Sequence, residues 1–377
     1  MPHHELSYPA KVQVGDITVR DGFQHEEIWI PTDAKLFYLE ELILCGIKHL
    51  EVTNLGNPAA MPQFKDADEL FKRLRNSKKL SKAGVNWDDI TLTAITIREK
   101  AVDRAIAARK EGWGPDRILM MVSTDEEHHF ANSGATLPNY WEEAKRCIEK
   151  AADVGIKMNG TVSTIWGSPI SGPTKLEDAV EFAKRWLEIG AADIEHADHD
   201  GSAPPNQVYK YFSMVLEAMP DKRLHVAHFH VTRGWGTANV LAALHAGIEI
   251  FEATLGGLGG QPANFLDRVP VAGTGSYYYR DPNVVGLQCI EDMVVMMDEM
   301  GIETGIDVDR LLDLGTMMEK TIGRRLRSES ILNRRIPKQP REEYKRKGLA
   351  ELKQRLGEAP GQKFPASWPE KATYTPK

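Results

Sequence analysis

The 377-residue chain is short of cysteine: Cys45, Cys147 and Cys289 stand far apart, and none belongs to a CxxC pair. That excludes a disulfide framework and a thiolate zinc site, and it fits a reducing compartment, read here as the cytoplasm. All three fall within helical patterns, where a thiol packs rather than reacts. Long apolar runs are missing too. None approaches the roughly 20 residues that a membrane span needs, and the opening "MPHHELSYPAKVQVGD" has no apolar signal core. Strand-like sequence begins near Val12, which leaves no room for a removable presequence. Nor is there excess positive charge: 47 Lys and Arg face 54 Asp and Glu, so no field draws the chain to nucleic acid. The expected partner is a small molecule, free or on an acyl carrier.

With 42% hydrophobic residues the chain can bury a large core. Short β-branched runs alternate with longer helical stretches, which argues for βαβ units around a parallel sheet. Eight strands are expected, at 11–19, 47–53, 89–95, 117–123, 157–164, 192–198, 224–231 and 248–255, the number a TIM barrel requires. The helix "TDAKLFYLEELILCG" is expected to open on a Thr/Asp cap and close on Gly46. A doubly wound sheet would carry GxGxxG after its first strand, and "VRDGFQHEE" does not. The fold class is therefore α/β, a (β/α)8 barrel over residues 10–320. Residues 321–377 form a helical, partly Pro-rich extension, expected to pack on the barrel or on a neighbouring subunit, or to be partly disordered. The arginines of "GRRLRSESILNRRIPKQ" read as a solvated face, with contact to a phosphate-bearing substrate or an acidic partner surface as the sharper alternative.

Chemistry in such a barrel sits where the strands end. In "LHVAHFHVTRG", residues i and i+2 of a strand share a face, so His228 and His230 point together and His225 points away. Paired imidazoles at the end of the seventh strand can chelate a divalent cation. The first strand ends "TVRDGFQHEE", and Asp21 there could complete a His/His/Asp site. Arg20 beside it is either a salt-bridge partner or a stabiliser of a developing enolate.

These stretches resemble the DRE-TIM metallolyases, and among them the 3-hydroxy-3-methylglutaryl-CoA lyase-like proteins, from about residue 12 to 335. "VRDGFQHE" is similar to the family's RDGxQxE motif, and "LEVTNLGNPAAMPQF" to its second-strand segment. "NGTVSTIWGSP", "HVAHFHVTRGWGTANVLAALHAGI" and "EATLGGLGGQP" follow in the family's order. The resemblance implies that Asp21, His228 and His230 bind a divalent metal, Mg²⁺ or Mn²⁺ foremost, Zn²⁺ or Co²⁺ otherwise. It implies catalytic roles for Arg20, Glu51, Asp198 and His230, with His230 or Asp198 as proton shuttle. Gln24, Asn54, Thr161 and Gln261, all within these motifs, are expected to contact substrate. The implied reaction is retro-aldol or retro-Claisen cleavage of a branched 3-hydroxyacyl-CoA or related 3-hydroxy acid, in a homodimer or higher homo-oligomer.

Two positions depart from the family. Its signature-loop cysteine, which serves in protonation, is Gln261 here, and an amide cannot donate a proton as a thiol does. Its fourth metal ligand, an asparagine, is Leu287 in "VGLQCIEDMVVMM". Gln288, Asn283 or Asn264 could supply the missing ligand, and one of Tyr277, Tyr278 and Tyr279 the acid. His196, His199 and Asp200 crowd the sixth strand, as polar groups around the site or, less simply, as a second metal site. A condensing enzyme of the isopropylmalate or homocitrate synthase type and a barrel without catalysis are the competing readings. A biotin-dependent carboxyltransferase would need a carbamylated lysine, which "MNGTVSTIWGSP" lacks.

Overall fold

The computed structural model describes residues 7–335, apart from 25, 27, 60, 169, 260–263, 267–268 and 272–285, and position 354 beyond them. Eight parallel strands close into a barrel in sequence order. They are β1 (Gln13–Asp16), β2 (His49–Asn54), β3 (Thr91–Ile95), β4 (Arg117–Ser123), β5 (Lys157–Ser163), β6 (Asp193–Asp198), β7 (His225–Phe229) and β8 (Ile250–Ala253). Helix α1 (Thr32–Cys45) follows β1, α2 (Ala67–Arg75) and α3 (Lys78–Lys82) follow β2, and α4 (Glu99–Lys110) follows β3. Then come α5 (Glu126–Ser133) and α6 (Leu137–Ala152), α7 (Leu176–Glu188), α8 (Pro205–Ala218) and α9 (Gly236–Ala246). After β8 lie α10 (Ile290–Glu299), α11 (Val308–Ile322) and α12 (Glu329–Asn333). β8 pairs with β1 from Gln13↔Ile250 to Asp16↔Ala253 and closes the ring.

Strand parity sorts the side chains. Leu50, Val52, Ile118, Met120, Val122, Ile194, Ala227 and Phe229 face outward and are buried under the helices. Their burial, at roughly 1.5–3 kcal/mol for each large side chain, is the main stabilising term. Gly160 shares that outward face, and a Cβ there would lie 2.3 Å from the Trp186 ring of α7. The inward face is polar: Glu51, Thr93, Arg117, Asn159, Thr161, Glu195, His228 and Glu252 are all buried. Buried charge must be paired, and Arg117 meets Asp193 at 2.8 Å.

Most strands are shorter at one or both ends than expected, and side-chain hydrogen bonds account for the local differences around β1 and α1. β1 stops at Asp16 rather than at 19, because the Asp16 carboxylate accepts from the Thr18 N–H at 2.9 Å and from its hydroxyl at 2.7 Å, which turns the chain. α1 is preceded by Pro31 without a side-chain cap, since the Thr32 hydroxyl donates to Asp66 at 2.8 Å instead. It does end on Gly46, whose φ of 108° is left-handed. Helix α11 spans Val308–Ile322, and the compact unit that holds the barrel reaches Leu332.

Candidate metal centre and active site

The turn after β1 is a single π-helical turn, Thr18–Gly22, in which Gly22 N–H donates to Ile17 O at 3.2 Å and Phe23 N–H to Thr18 O at 3.0 Å. This widened turn sets Arg20 and Asp21 side by side at the mouth of the barrel. The Arg20 guanidinium donates from Nε to Glu51 Oε2 at 2.5 Å, and its Nη1 lies 3.0 Å from Asp21 Oδ2. Burial works against that charge, but Asp21 and Glu51 outweigh it and hold the pKa of Arg20 above its usual value.

From β7, His228 and the residue just beyond the strand, His230, reach the same place. Asp21, His228 and His230 each offer a ligand atom, and these atoms lie within 4.8 Å of one another. His228 Nδ1 is 2.6 Å from Glu252 Oε1 on β8. Paired with that oxygen through Nδ1, the ring turns its Nε2 towards Asp21, 3.7 Å away. His230 Nδ1 is buried without a hydrogen-bond partner among the described residues. Burial, with His228 nearby, holds the pKa of His230 well below the usual range, which keeps the ring neutral. One carboxylate and two imidazoles, one of them with an orphaned ring nitrogen, fit a divalent cation.

Beneath them, Glu195 and Glu252 share His228 as a second close group. Burial raises both acids, Glu195 well above the carboxylate range and Glu252 to about 8, with the neighbouring carboxylates adding to the shift. They floor the site and orient His228.

Arg20, Asp21, Gln24, Asn54, Thr161, Glu195, His199, His228 and His230 line one cavity, with Met61, Ile95, Ile97, Leu119 and Met121 as an apolar wall. Its volume is about 80 Å³. At roughly 10–15 Å³ per water-sized group in that measure, it has room for a short acyl chain. Glu51 lies behind Arg20 and outside this lining. Asp198 shares the outward parity of Ile194 and His196, and its carboxylate accepts from the Ser202 and Ala203 N–H groups at 3.3 and 3.2 Å. Burial and then the charge of Asp200 push its pKa up to about 8.

His225 faces outward, as its parity requires, with Nε2 2.9 Å from Met219 O and Nδ1 3.1 Å from His196 Nε2. His196 therefore belongs to the helix-facing layer, and among the described residues no second metal cluster forms around it. The segment 286–289 runs between the ends of β7 and β8: Val231 N–H donates to Gly286 O and Gln288 N–H to Phe229 O, both at 2.9 Å. Leu287 bridges to His230 and is buried against Gly259. Gln288 has the opposite parity. Its amide donates to Cys289 O at 3.0 Å and lies 3.4 Å from Thr237 Oγ1, so it turns away from the ligands and does not replace the asparagine. Gln261, Asn283, Tyr277, Tyr278 and Tyr279 lie outside the described residues, as does the side chain of Asn264. The three thiols are all buried. Cys289 is not inside a helix but precedes α10, where its thiol donates to Glu291 at 2.9 Å. Of the arginine-rich segment, Arg324 pairs with Glu26 at 2.6 Å.

Sequence reasoning passed over Glu195 and Glu252, although each has the parity of a recognised inward residue on a neighbouring strand, Thr161 and His228. It also passed over His128, which lies in a helix where no strand period marks it.

The chain is similar to known carbon–carbon lyases. The hydroxymethylglutaryl-CoA lyase of Bacillus subtilis is 26% identical over 326 residues, 86% of this chain and 98% of its own. The (R)-citramalyl-CoA lyase of Chloroflexus aurantiacus is 27% identical over 315 residues, 84% of this chain and 92% of its own. The structure of an HMG-CoA lyase from Acinetobacter baumannii, in complex with coenzyme A and 3-methylmalate, superposes with a TM-score of 0.75 at 28% identity, covering 89% of this chain and 99% of that one. No helix among the described residues is long and apolar enough to cross a membrane. The sequence model of the HMGL-like family matches residues 11–318, most of the chain, and the protein belongs to that family.

Proposed function

We propose that the protein is a divalent-metal-dependent lyase that breaks a carbon–carbon bond in a branched 3-hydroxyacyl-CoA thioester, releasing an acetyl-type thioester and a carbonyl product. The observation that carries this reading is the convergence of Asp21, His228 and His230 within 4.8 Å, beside Arg20 and over a cavity of acyl size. Its relatives named above are carbon–carbon lyases acting on CoA thioesters. Asp21, His228 and His230 would hold the ion, Mg²⁺ or Mn²⁺ before Zn²⁺ or Co²⁺, which supplies Lewis acidity that acidifies a hydroxyl and polarises a carbonyl.

The chain's own residues supply the rest. Glu252 orients His228, and Glu51 aims the Arg20 guanidinium. Arg20 then presents a fixed positive charge to the enolate that forms as the bond breaks, with no reorganisation at that moment. Gln24, Asn54 and Thr161 line the cavity as polar contacts for the acyl group. Met61, Ile95, Ile97, Leu119 and Met121 give its branch an apolar wall and keep water from the enolate.

The test is a panel of 3-hydroxyacyl-CoA thioesters and free hydroxy acids, assayed with Mg²⁺, Mn²⁺, Zn²⁺ and Co²⁺ for thioester and carbonyl products. Metal-dependent cleavage that disappears in Asp21→Ala and His228→Ala is the expected outcome. Cleavage that survives chelation, or no cleavage anywhere on the panel, overturns the reading.

A further inference from the structure

A second pair of imidazoles stands in the wall built by β4, β5 and β6, and the lyase reading gives it no task. His199, just past β6, lines the cavity, and His128 in α5 is wholly buried behind it. Their Nε2 atoms are 3.0 Å apart. His128 Nδ1 is 2.7 Å from Ser123 Oγ, and Ser123 Oγ is 3.0 Å from Ser163 Oγ. The Ser163 hydroxyl lies 3.3 Å from the Val122 carbonyl. The Asn132 amide nitrogen is 3.2 and 3.3 Å from the two ring nitrogens of His128, so it does not choose between them.

A carbonyl only accepts, so with the Ser163 hydrogen placed on the Val122 carbonyl, Ser163 accepts from Ser123 and each later link takes one direction. With its hydrogen thus committed, Ser123 accepts from His128 Nδ1–H. Burial keeps both rings neutral, holding His199 at about 4 and His128 well below the usual range. A neutral ring with its proton on Nδ1 has a bare Nε2, so His128 accepts from His199 Nε2–H. His199 is then left with a bare Nδ1, for which no partner stands among the described residues, on a ring that lines the cavity.

From this chain of donors we propose that His199 is a catalytic base of this enzyme, with His128 and Ser123 as the positioning residues that hold its Nδ1 lone pair towards the substrate. The inference rests on the lyase reading above. His199 Nδ1 takes the proton of the substrate's 3-hydroxyl, and the hydroxyl carbon becomes a carbonyl. The C2–C3 bond breaks with its electron pair going to the thioester enolate, and the same proton returns from His199 to C2. Nothing is oxidised or reduced. The arrangement answers two features of the chain: Gln261 cannot give a proton as a thiol does, and Asp198 faces the Ser202 and Ala203 backbone.

Two measurements test it. Long-range ¹H–¹⁵N NMR of the wild-type protein without metal should show His199 protonated at Nε2 and His128 at Nδ1; the reverse pair of tautomers overturns the proposal. In steady-state kinetics on whichever thioester the wild type cleaves, His199→Gln should lower kcat by about 100-fold or more, the range for loss of a general base. KM and Mn²⁺ affinity should stay near wild type. Ser123→Ala removes the acceptor that sets His128 and should also lower kcat at unchanged KM, while Ser123→Thr, which keeps the hydroxyl, should restore it. A His199→Gln enzyme with near-normal kcat overturns the base, and equal kcat in Ser123→Ala and Ser123→Thr overturns the positioning role. A wild type that cleaves nothing defeats the lyase reading separately, and the tautomers are still decided by NMR.

Discussion

Arg20 and Glu252 act on the site in different ways, and substituting each separates electrostatics from chelation. Arg20 meets Glu51 through Nε and Nη2 and Asp21 through Nη1, a planar fork that an ammonium cannot reproduce. Arg20→Lys is expected to bind Mn²⁺ within a few-fold of wild type and to lose most of kcat, by roughly 100-fold if its role is enolate stabilisation. Unchanged kinetics would remove Arg20 from the reaction. Glu252 acts on His228 by pairing with its Nδ1. Glu252→Gln keeps an acceptor and should bind Mn²⁺ nearly as well as wild type, whereas Glu252→Leu should weaken binding by roughly 10–100-fold, both read by titration calorimetry. Equal affinities in the two variants would show that the carboxylate does not orient the ring. At this scale the sequence revealed what a strand period reveals. His228 and His230 were separable from His225 because parity alone decides their faces. The Glu195 and Glu252 floor follows from the same parity, but no motif drew attention to it. The contact between His128 and His199 joins a helix to a strand end 71 residues later, and no local period encodes such a meeting.

The turn that follows β1 is the element on which the site depends. All eight strands were visible as apolar runs, yet β1 was expected to run three residues too far, because "ITV" is strand-like and the Asp16–Thr18 turn that ends it is a side-chain effect. Thr18 does two things: its hydroxyl donates to Asp16 Oδ2 at 2.7 Å and accepts from the Leu255 N–H at 2.8 Å. The turn after β1 is thereby pinned to the turn after β8. Thr18→Val keeps the shape and removes both bonds, taking from the buried Leu255 N–H its acceptor and from Asp16 Oδ2 its donor, while the residue 18 N–H still reaches Asp16 Oδ1. The expected cost is roughly 1–3 kcal/mol in chemical denaturation. Because Arg20 and Asp21 ride on this turn, the Mn²⁺ affinity of the folded variant should fall as well. A denaturation midpoint and an affinity both equal to those of wild type would show that the turn is held by other contacts.

A closed barrel has one place where the chain's beginning meets its end, and here that place is the ladder between β1 and β8. The candidate ligands straddle it: Asp21 follows β1, and His228 and His230 come from β7 on the far side of β8. An ion held by all three would tie the two ends of the ring together, so its binding should register as stability of the whole fold. A ligand that binds the folded state alone contributes about 2.7 kcal/mol at one hundred times its dissociation constant. For a domain of this size that corresponds to a rise in Tm of roughly 5 °C. Calorimetric melts in Mn²⁺ against chelator should therefore separate by about that amount for the wild type. Asp21→Asn and His228→Ala should melt alike under the two conditions. Arg20→Lys, which leaves the ligands in place, should keep the separation even though its turnover is lost. A wild type whose melting is indifferent to Mn²⁺ would mean that these three residues meet at the mouth of the barrel without holding an ion there.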